Sequence, residues 1–369
     1  MKILVTGAKG FIGKNLILEL RNRGYNNIFE YDIDTKPEYL DEYCKEANFV
    51  YHLAGVNRPK DQSEFMVSNY GFTAALIEIL KKHNNTCPVM FSSSIQAEEN
   101  NPYGISKKAV ENLLFEYSNE TGVKVLVYRF SNVFGKWCRP NYNSVIATFC
   151  HNIARGLPIQ VNDPKKVLKL IYIDDLVDEL IRALIGHENR VNKFCEVPVF
   201  YEITLGEISD LIYSFKKSRD EKTIPDMSDS FTKKLYSTYL SYLPKDKFSY
   251  ELKMNVDHRG SFTEFIRTPD RGQISINVSK PGFAKGNHWH HTKSEKFLVA
   301  CGKGVIRFRR IDSNEIIEYF VSGDKFEVVD IPAGYAHSIE NLGDTDMITI
   351  MWANECFDPK KPDTYHLEV

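Results

Sequence analysis

Hydrophobic positions along the chain follow two different patterns, one before residue 245 and one after residue 252. In the first part, short apolar runs such as KILVT and PVMF alternate with segments in which apolar residues recur every three or four positions. Short runs of this kind are typical of buried strands, and the longer spacing is typical of amphipathic helices. The alternation predicts an α/β fold with a parallel sheet that helices cover on both faces.

The second part has shorter runs at closer spacing, among them GQISINVS, EKFLVACG and DMITIMW, with glycine and proline turns between them. This pattern is typical of an antiparallel barrel or sandwich. Between the two parts, residues 219–250 are polar and aromatic, and they predict a peripheral helix followed by a linker near Pro244. We therefore predict two domains, 1–245 and 252–369.

The composition narrows the class of protein without indicating one function. A net charge of −2 over 369 residues disfavours a nucleic-acid-binding protein, which is usually basic overall or along one face. Seven scattered cysteines without a CxxC pair disfavour a disulfide framework and suit a reducing cytoplasm. The N-terminal segment MKILVTGAKGFIG lacks the apolar run of a signal peptide and starts a strand directly, so none is expected. No stretch approaches 18 apolar residues, so we expect no membrane span.

A glycine triplet follows the first predicted strand and opens the first predicted helix. Gly7, Gly10 and Gly13 let the backbone approach a pyrophosphate, and the helix N-terminus offers free N–H groups to it. The triplet alone could be a tight strand-to-helix turn. Asp32, at the end of the next strand, favours a dinucleotide site because an acid there can bind the adenine ribose.

Tyr103 and Lys107 form a YxxxK pair at the start of a predicted helix, so both side chains lie on one face. A nearby ammonium favours the tyrosinate, which would let the phenol transfer a proton near neutral pH. Ser94 ends a strand nine residues earlier and could hydrogen-bond the same substrate oxygen. The alternative is a pair of unrelated surface residues on a helix.

A histidine cluster lies in the second part, in the segment HWHHTKSE. His288 and His290 share one face of a predicted strand, Glu295 follows a turn, and His337 lies on a later strand. Three imidazoles and a carboxylate around one point suit Zn²⁺, Ni²⁺, Mn²⁺ or Fe²⁺, and we favour Zn²⁺. A single surface histidine would mean little, but four such groups predict a metal site.

The first part resembles the extended short-chain dehydrogenase/reductase family, in the branch that acts on nucleotide sugars. The matching segments are TGAKGFIG (6–13), HLAG (52–55), SNYGFTAALIEIL (68–80), FSSS (91–94), YGISK (103–107), RFSNVFG (129–135) and YIDDLVDEL (172–180). The resemblance implies a Rossmann-type doubly wound sheet, a catalytic Ser94–Tyr103–Lys107 set, and Asn69 and Asn132 beside the substrate. The cofactor-binding residues that it implies are Gly7, Gly10, Phe11, Ile12, Gly13, Asp32, Lys36, Leu53, Ala54, Gly55, Tyr103 and Lys107.

Two positions depart from the dehydratases of that family, which carry an Asp-Glu pair after the catalytic Ser or Thr. Ile95 and Gln96 stand there, so ketone reduction or 4-epimerisation is expected rather than dehydration. Asp32 favours NAD, whereas Lys9, Lys14 and Lys36 could accommodate the 2′-phosphate of NADP. The family resemblance favours NADP(H).

The second part resembles the cupin family, which implies a small double-sheet barrel with the metal inside. Its two motifs are matched at Gly282, His288, His290, Glu295 and Gly302, and at Pro332, Gly334, His337 and Asn341. Phe326 stands where the second motif has a further glycine, which does not affect the ligands.

Together the two parts resemble the bifunctional capsular-polysaccharide enzymes of the bacterial UDP-N-acetyl-L-fucosamine pathway. The resemblance implies that the cupin part epimerises C3 of a UDP-4-keto-6-deoxy-N-acetylhexosamine. The reductase part would then reduce the C4 ketone with NADPH to give UDP-2-acetamido-2,6-dideoxy-L-talose. An alternative is a single-activity reductase whose cupin is a metal-stabilised oligomerisation or binding module. A homodimer is expected from either resemblance.

Overall fold

The computed structural model describes residues 1–59, 61–268 and 270–369. Its first compact unit comprises Met1–Tyr213 and Ser228–Pro244, and the second comprises Ser214–Met227 and Lys245–Val369. The sequence did not predict that Ser214–Met227 would group with the second unit.

The helices of the described ranges lie mainly in the first unit. They are α1 Phe11–Asn22, α2 Pro37–Glu46, α3 Phe72–Lys82, α4 Pro102–Thr121, α5 Val145–Ala154, α6 Ile173–Leu184, α7 Leu205–Glu221 and α8 Ser230–Ser241. A π-helix spans Met66–Gly71, and short 3₁₀ helices span Ile95–Glu98 and Lys245–Lys247. No described helix is both long enough and apolar enough to cross a bilayer.

The strands divide between the two units. Those of the first are β1 Ile3–Thr6, β2 Ile28–Tyr31, β3 Phe49–His52, β4 Val89–Ser94, β5 Val125–Phe130, β6 Asn132–Phe134, β7 Val167–Tyr172, β8 Arg190–Val191, β9 Phe194–Cys195 and β10 Tyr201–Thr204. Those of the second are β11 Asn255–Asp257, β12 Gly260–Thr268, β13 Gly272–Ser279, β14 Ala284–Trp289, β15 Glu295–Cys301, β16 Lys303–Arg310, β17 Ile316–Ser322, β18 Val328–Ile331, β19 Tyr335–Asn341, β20 Met347–Ala353 and β21 Tyr365–His366.

The predicted parallel sheet with covered faces is confirmed. Strands β1 to β5 pair in parallel, and their side chains alternate between two separate apolar cores. On β1, for example, Ile3 and Val5 enter one core, with α1 and α6, while Leu4 enters the other, with α2, α3 and α4. Strands buried on both faces read as unbroken apolar runs, which is why KILVT and PVMF were informative.

The strand order of this sheet is β2-β1-β3-β4-β5-β9-β8. The chain leaves β1 toward one edge, to β2, and then returns to β3 on the other side of β1. Ligands of open α/β sheets bind at such a switch point, outside the carboxyl ends of the strands. The carboxyl ends of β1 and β3 carry the glycine loop and the HLAG segment.

The helix and linker predicted for residues 219–250 correspond to α8 and the segment around Pro244, and the end of α7 precedes them. Helix α8 runs from Ser230 to Ser241 and buries Phe231, Leu235 and Tyr239 on one face, at i, i+4 and i+8. Asp229 caps its first turn by accepting a hydrogen bond from Thr232 N at 2.7 Å.

The second unit contains two antiparallel sheets, as predicted for a cupin-like fold. One has the order β11-β12-β13-β20-β15-β18, and the other has the order β17-β16-β19-β14-β21. An apolar core that includes Phe297, Val299, Phe308 and Ile339 draws side chains from both sheets. The predicted metal ligands come from β14, β15 and β19 and the residue after β14.

Candidate active sites

The glycine loop packs directly against the segment that follows β3. Gly7 has φ +70°, and a Cβ there would lie 2.8 Å from Ala54 N and 2.9 Å from the Leu53 carbonyl carbon. A Cβ on Gly13 would lie 2.3 Å from Gly7 O. Only glycine tolerates these contacts. The glycine loop therefore packs against the backbone of Leu53 and Ala54, and the absence of side chains leaves room for a phosphate.

Helix α1 begins at Phe11, directly after Gly10. Because glycine has no side chain, Gly10 forms no capping hydrogen bond with the first turn. The first N–H groups of this helix therefore have no intrahelical partner and point out of its N-terminus, a suitable position for an anion. This geometry fits a dinucleotide pyrophosphate on the backbone of Gly10, Phe11, Ile12 and Gly13.

Asp32 is oriented by the glycine loop. Its carboxylate accepts hydrogen bonds from Lys9 N at 2.7 Å and from Ile33 N at 2.8 Å. The Lys9 side chain forms an ion pair with Asp34. Lys36, at the N-cap of α2, is exposed. Of the three lysines that the sequence offered for a 2′-phosphate, Lys9 is thus already paired.

Ser94, Tyr103 and Lys107 come together at the carboxyl end of β4. Asn101 caps α4 by accepting from Gly104 N at 2.8 Å, which sets Tyr103 in the first turn of the helix. Burial raises the pKa of Tyr103, and a hydrogen bond with Ser94 opposes the rise. The tyrosinate that the YxxxK spacing led us to expect is therefore not favoured; the phenol stays protonated near neutral pH.

Lys107 is buried, and its Nζ donates to Ser92 O at 2.8 Å. Desolvation lowers the pKa of Lys107 to about 8, and the charge of Glu111 opposes that change. A Cβ on Gly55 would lie 3.3 Å from Lys107 Nζ and 3.2 Å from Asn69 Oδ1. Gly55 therefore lies against the lysine and the asparagine at once, which brings the HLAG segment and the YxxxK helix into one site.

A buried ion pair supports this helix one turn beyond Lys107. Glu111 accepts from Arg129 Nε at 2.8 Å, from Arg129 Nη2 at 2.7 Å and from Ser93 Oγ at 2.6 Å. Desolvation would raise the pKa of Glu111, but Arg129 and Ser93 hold it below its ordinary value. The carboxylate is thus ionised and fully hydrogen-bonded.

His52 was missed as a positioning residue by the sequence reasoning, although it stands in the HLAG segment. Its Nδ1 lies 2.8 Å from Thr6 Oγ1, and its Nε2 lies 2.8 Å from Thr73 Oγ1. Thr73 donates its hydroxyl proton to Asn69 O, so Nε2 must be the protonated nitrogen of His52. Burial, with a smaller effect of the Lys107 charge, lowers the pKa of His52 to about 3.

The hydrogen-bonded chain from His52 continues to the tyrosine helix. Asn69, buried in the π-helix, accepts from Val56 N at 2.8 Å and donates to Ser106 Oγ at 3.0 Å. Ser106 in turn donates to Tyr103 O at 2.7 Å. The end of β1 and the backbone of Tyr103 are therefore linked through one continuous polar network. Sequence periodicity could not show these contacts, since they join residues far apart in the chain.

Asn132 begins β6 in the three-stranded sheet β10-β7-β6. Its side chain is exposed and donates to Lys169 O at 3.3 Å. Its place beside a substrate stays a prediction that rests on the family resemblance.

The four predicted metal ligands converge in the second unit. One nitrogen or oxygen atom from each of His288, His290, Glu295 and His337 lies within 4.8 Å of the others. His290 and His337 are 1% exposed. Burial alone would raise the pKa of Glu295, but the facing imidazoles of His290 and His337 hold it well below its usual range.

The protonation of His290 suits metal binding. Its Nδ1 hydrogen-bonds the carbonyl oxygen of Asp363, so Nδ1 carries the proton and Nε2 presents a lone pair. His290 Nε2, His337 Nε2 and Glu295 Oε2 are buried with no hydrogen-bond partner among the described residues. Buried polar atoms normally have partners, so these three fit a divalent cation.

A cavity of about 620 Å³ opens beside His288 and Glu295. Its wall includes Asn277 of β13, and a neighbouring cavity is lined by Gln273 and Ser275 of the same strand. These side chains are buried, although the interior face of a sheet that serves packing alone is apolar. The polar wall suits a hydroxylated ligand.

Lys293 is a site residue to which sequence reasoning gave no role, although it stands inside the HWHHTKSE segment. It is 8% exposed, lines both cavities with Glu295, and donates to Thr364 Oγ1 at 3.2 Å. Its position next to a ligand in the sequence was the available signal.

Two family models match the chain. Residues 3–193 match the NAD dependent epimerase/dehydratase family, and residues 255–365 match the polysaccharide biosynthesis C-terminal domain. The first match spans the glycine loop and the YxxxK helix, and the second spans the whole metal cluster.

Relatives match over the entire chain. A UDP-2-acetamido-2,6-beta-L-arabino-hexul-4-ose reductase of Pseudomonas aeruginosa is 43% identical over 370 residues, which cover 100% of this chain and 99% of the relative. The capsular polysaccharide assembling protein CapF of Staphylococcus aureus has a solved structure with 58% identity and a TM-score of 0.95, covering 100% of both chains. The UDP-glucose 4-epimerase of Thermotoga maritima, at 21% identity, a TM-score of 0.55 and 66% of this chain, supports the fold of the first unit alone.

Proposed function

Because the chain belongs to the NAD dependent epimerase/dehydratase family, we propose that its first unit is a nucleotide-sugar 4-ketoreductase of capsular polysaccharide synthesis. The reductase of Pseudomonas aeruginosa and CapF, which match over the full length, support this substrate class. The observation that carries the proposal is the buried contact of Ser94, Tyr103 and Lys107 beside the glycine loop.

The reduction needs one hydride at C4 and one proton at the ketone oxygen. NADPH, when bound, supplies the hydride. Tyr103 donates its phenolic proton to the oxygen, and its raised pKa keeps that proton in place until the ketone is bound. Ser94 would hydrogen-bond the same oxygen, while Lys107 would hold a ribose hydroxyl of the cofactor. The product is the C4 alcohol.

We assign cofactor binding to the switch point between β1 and β3. The backbone of Gly7 to Gly13 would hold the pyrophosphate, Asp32 and Lys36 would bind at the adenine ribose, and Leu53 to Gly55 would line the nicotinamide side. The exposed ammonium of Lys36 supports NADPH rather than NADH. Asn69 and Asn132 are assigned to the substrate side.

The second unit is proposed as a metal-dependent 3-epimerase that acts before the reduction. A 4-ketone acidifies the proton on C3, and a divalent metal, when bound, strengthens that acidity by polarising the carbonyl. His288, His290, Glu295 and His337 would hold this ion, for which Zn²⁺ is favoured by the three imidazoles. The polar wall of β13 supports a sugar as the ligand. The sequential product would be UDP-2-acetamido-2,6-dideoxy-L-talose.

Two variants separate the proposed activities. Tyr103→Phe should abolish NADPH oxidation with a UDP-4-keto-6-deoxy-N-acetylhexosamine but keep hydrogen–deuterium exchange at C3. His290→Ala should stop the exchange at C3 and leave NADPH binding unchanged. Tyr213→Phe and His187→Ala, both exposed positions, serve as controls for the two changes. Loss of exchange in Tyr103→Phe would refute separate active sites.

A second candidate makes the second unit a metal-stabilised oligomerisation or binding module. The observation that favours it is the exposed apolar surface of edge strand β17, where Ile316 is 51% and Phe320 67% exposed. Such an edge suits contact with a second copy, and a homodimer is part of both candidates. Normal C3 exchange in a monomeric Phe320→Glu variant would favour the enzyme. Loss of C3 exchange in His290→Ala with retained dimer mass, by light scattering, would exclude the module.

A further inference from the structure

The carboxy-terminal segment Asp363–His366 lies against β14, which carries His288 and leads directly into His290. His366 pairs with His288, and Tyr365 pairs with Trp289, in an antiparallel register. The rings of Trp289 and Tyr365 lie 5.0 Å apart. The segment thus forms the last strand of its sheet, next to β14.

Asp363 makes the densest set of contacts in this segment. Its carboxylate accepts hydrogen bonds from three successive backbone N–H groups, of His291 at 3.0 Å and of Thr292 and Lys293 at 2.9 Å. It also accepts from Thr292 Oγ1 at 3.2 Å. Its own carbonyl oxygen accepts the Nδ1–H of His290.

These contacts act on His290 in two ways. The carbonyl sets the tautomer, so that Nε2 is the nitrogen with the free lone pair, and it fixes the rotation of the ring. The carboxylate holds the loop that leads from His290 toward Glu295, and this loop in turn holds the carbonyl of Asp363 in place. Residue 363 is 73 positions from His290 in the chain, so no motif spacing connects them.

We propose that Asp363 is a positioning residue for the metal centre, and that the segment Asp363–His366 is a strap that holds its ligands. This inference rests on the proposed metal site. The strap would act through His288 and His290, and it supplies none of the four candidate ligand atoms. A change in Asp363 should therefore weaken metal binding while the fold of the barrel and the reductase site are kept.

The test compares Asp363→Ala and Asp363→Asn with the wild-type full chain. Zn²⁺ affinity is measured by competition with a chromophoric chelator, and ligand geometry by the visible absorption of the Co²⁺ form. Asp363→Ala keeps the carbonyl that His290 contacts but releases the loop that holds it, so Zn²⁺ should bind more weakly, by up to the roughly 10- to 100-fold typical when a partner of a metal-binding histidine is lost. Asp363→Asn keeps one acceptor oxygen, so its Zn²⁺ affinity should lie between those of the wild type and Asp363→Ala. Its Co²⁺ spectrum should change less than that of Asp363→Ala.

Asp358→Ala is the matched control, because Asp358 lies in the same tail and its carboxylate accepts only from Lys360 N among the bonds described. Its affinity should equal that of the wild type. Asp363→Ala with wild-type affinity and an unchanged Co²⁺ spectrum would overturn the strap alone. A wild-type chain that binds neither Zn²⁺ nor Co²⁺ would overturn the metal site and the strap together. Urea unfolding in the absence of metal distinguishes a folding defect from a loss of metal affinity. Weaker metal binding by a variant whose metal-free stability equals that of the wild type supports the proposal.

Discussion

Glu111 offers the sharpest test of how the reductase site is supported. The carboxylate is fully buried on α4, one turn after Lys107, and it receives two hydrogen bonds from Arg129 and one from Ser93. Replacing Glu111 by Gln keeps the shape but removes the charge. Two effects should follow, one on stability and one on the pH dependence of catalysis.

The loss of stability in Glu111→Gln depends on Arg129, whose buried charge remains without its main partner. The side chain of Arg129 is 14% exposed, and a buried ion that loses its partner costs about 3–5 kcal/mol. Arg129 also pairs with Glu98, which is exposed, so the lower end, about 3 kcal/mol, is expected. The matched change Glu98→Gln removes only an exposed partner and should cost less than about 1 kcal/mol.

The effect on catalysis follows from the sign of the charge. Glu111 raises the pKa of Lys107, which desolvation has lowered to about 8. Without that carboxylate the pKa of Lys107 falls further, so the ammonium is lost at a lower pH. The alkaline limb of kcat/KM for NADPH oxidation should therefore move to lower pH in Glu111→Gln and stay in place in Glu98→Gln. Urea unfolding and a pH profile would measure both effects. An unchanged limb, or a loss below about 1 kcal/mol, would refute the role of this pair.

Further changes test the cofactor site and the His52 network. Gly13→Ala sets a Cβ 2.3 Å from a loop carbonyl and should weaken NADPH binding by about tenfold or more, whereas Gly71→Ala, with its nearest atom at 3.9 Å, should not, by fluorescence titration. Lys36→Ala should lower the preference for NADPH over NADH by about fivefold in steady-state kinetics, because the lysine attracts a 2′-phosphate. Asp32→Ala should raise that preference by about fivefold, because the aspartate repels a 2′-phosphate. The pKa of His52 is about 3 in the folded chain and near 6.5 in the unfolded chain. The unfolded chain therefore takes up a proton below pH 6.5 that the folded chain does not, so the free energy of unfolding is highest above pH 6.5 and decreases as pH falls. Between pH 6.5 and 5 this is about 2 kcal/mol in urea unfolding, and His52→Gln should lose correspondingly less.

The fold could be predicted where burial alone determines the pattern. Strands β1 and β4 are apolar on both faces, and the turn at Gly7 needs a left-handed backbone, so the residue types report the structure directly. A helix was expected within residues 219–250, but its bounds and its buried apolar residues Phe231, Leu235 and Tyr239 were not predicted, because serines, threonines and lysines separate them. The grouping of Ser214–Met227 with the second unit depends on contacts with distant residues, such as that of Lys222 with Glu264 at 2.7 Å, which no local pattern contains.

The candidate sites could also be predicted only in part. Residues that carry out the chemistry can be recognised in the sequence by their type, whereas the residues that orient them cannot. A metal needs imidazoles and carboxylates, and a proton donor needs a hydroxyl, so His290 and Tyr103 are visible in a list of residues. Asp363 acts on His290 chiefly through a backbone carbonyl, a group that every residue has, and Asn69 reaches Tyr103 through Ser106. Orientation is therefore encoded in contacts that only the folded chain forms. It follows that variants at such positions should alter affinity, tautomer or pH dependence while the chemical groups of the site remain unchanged.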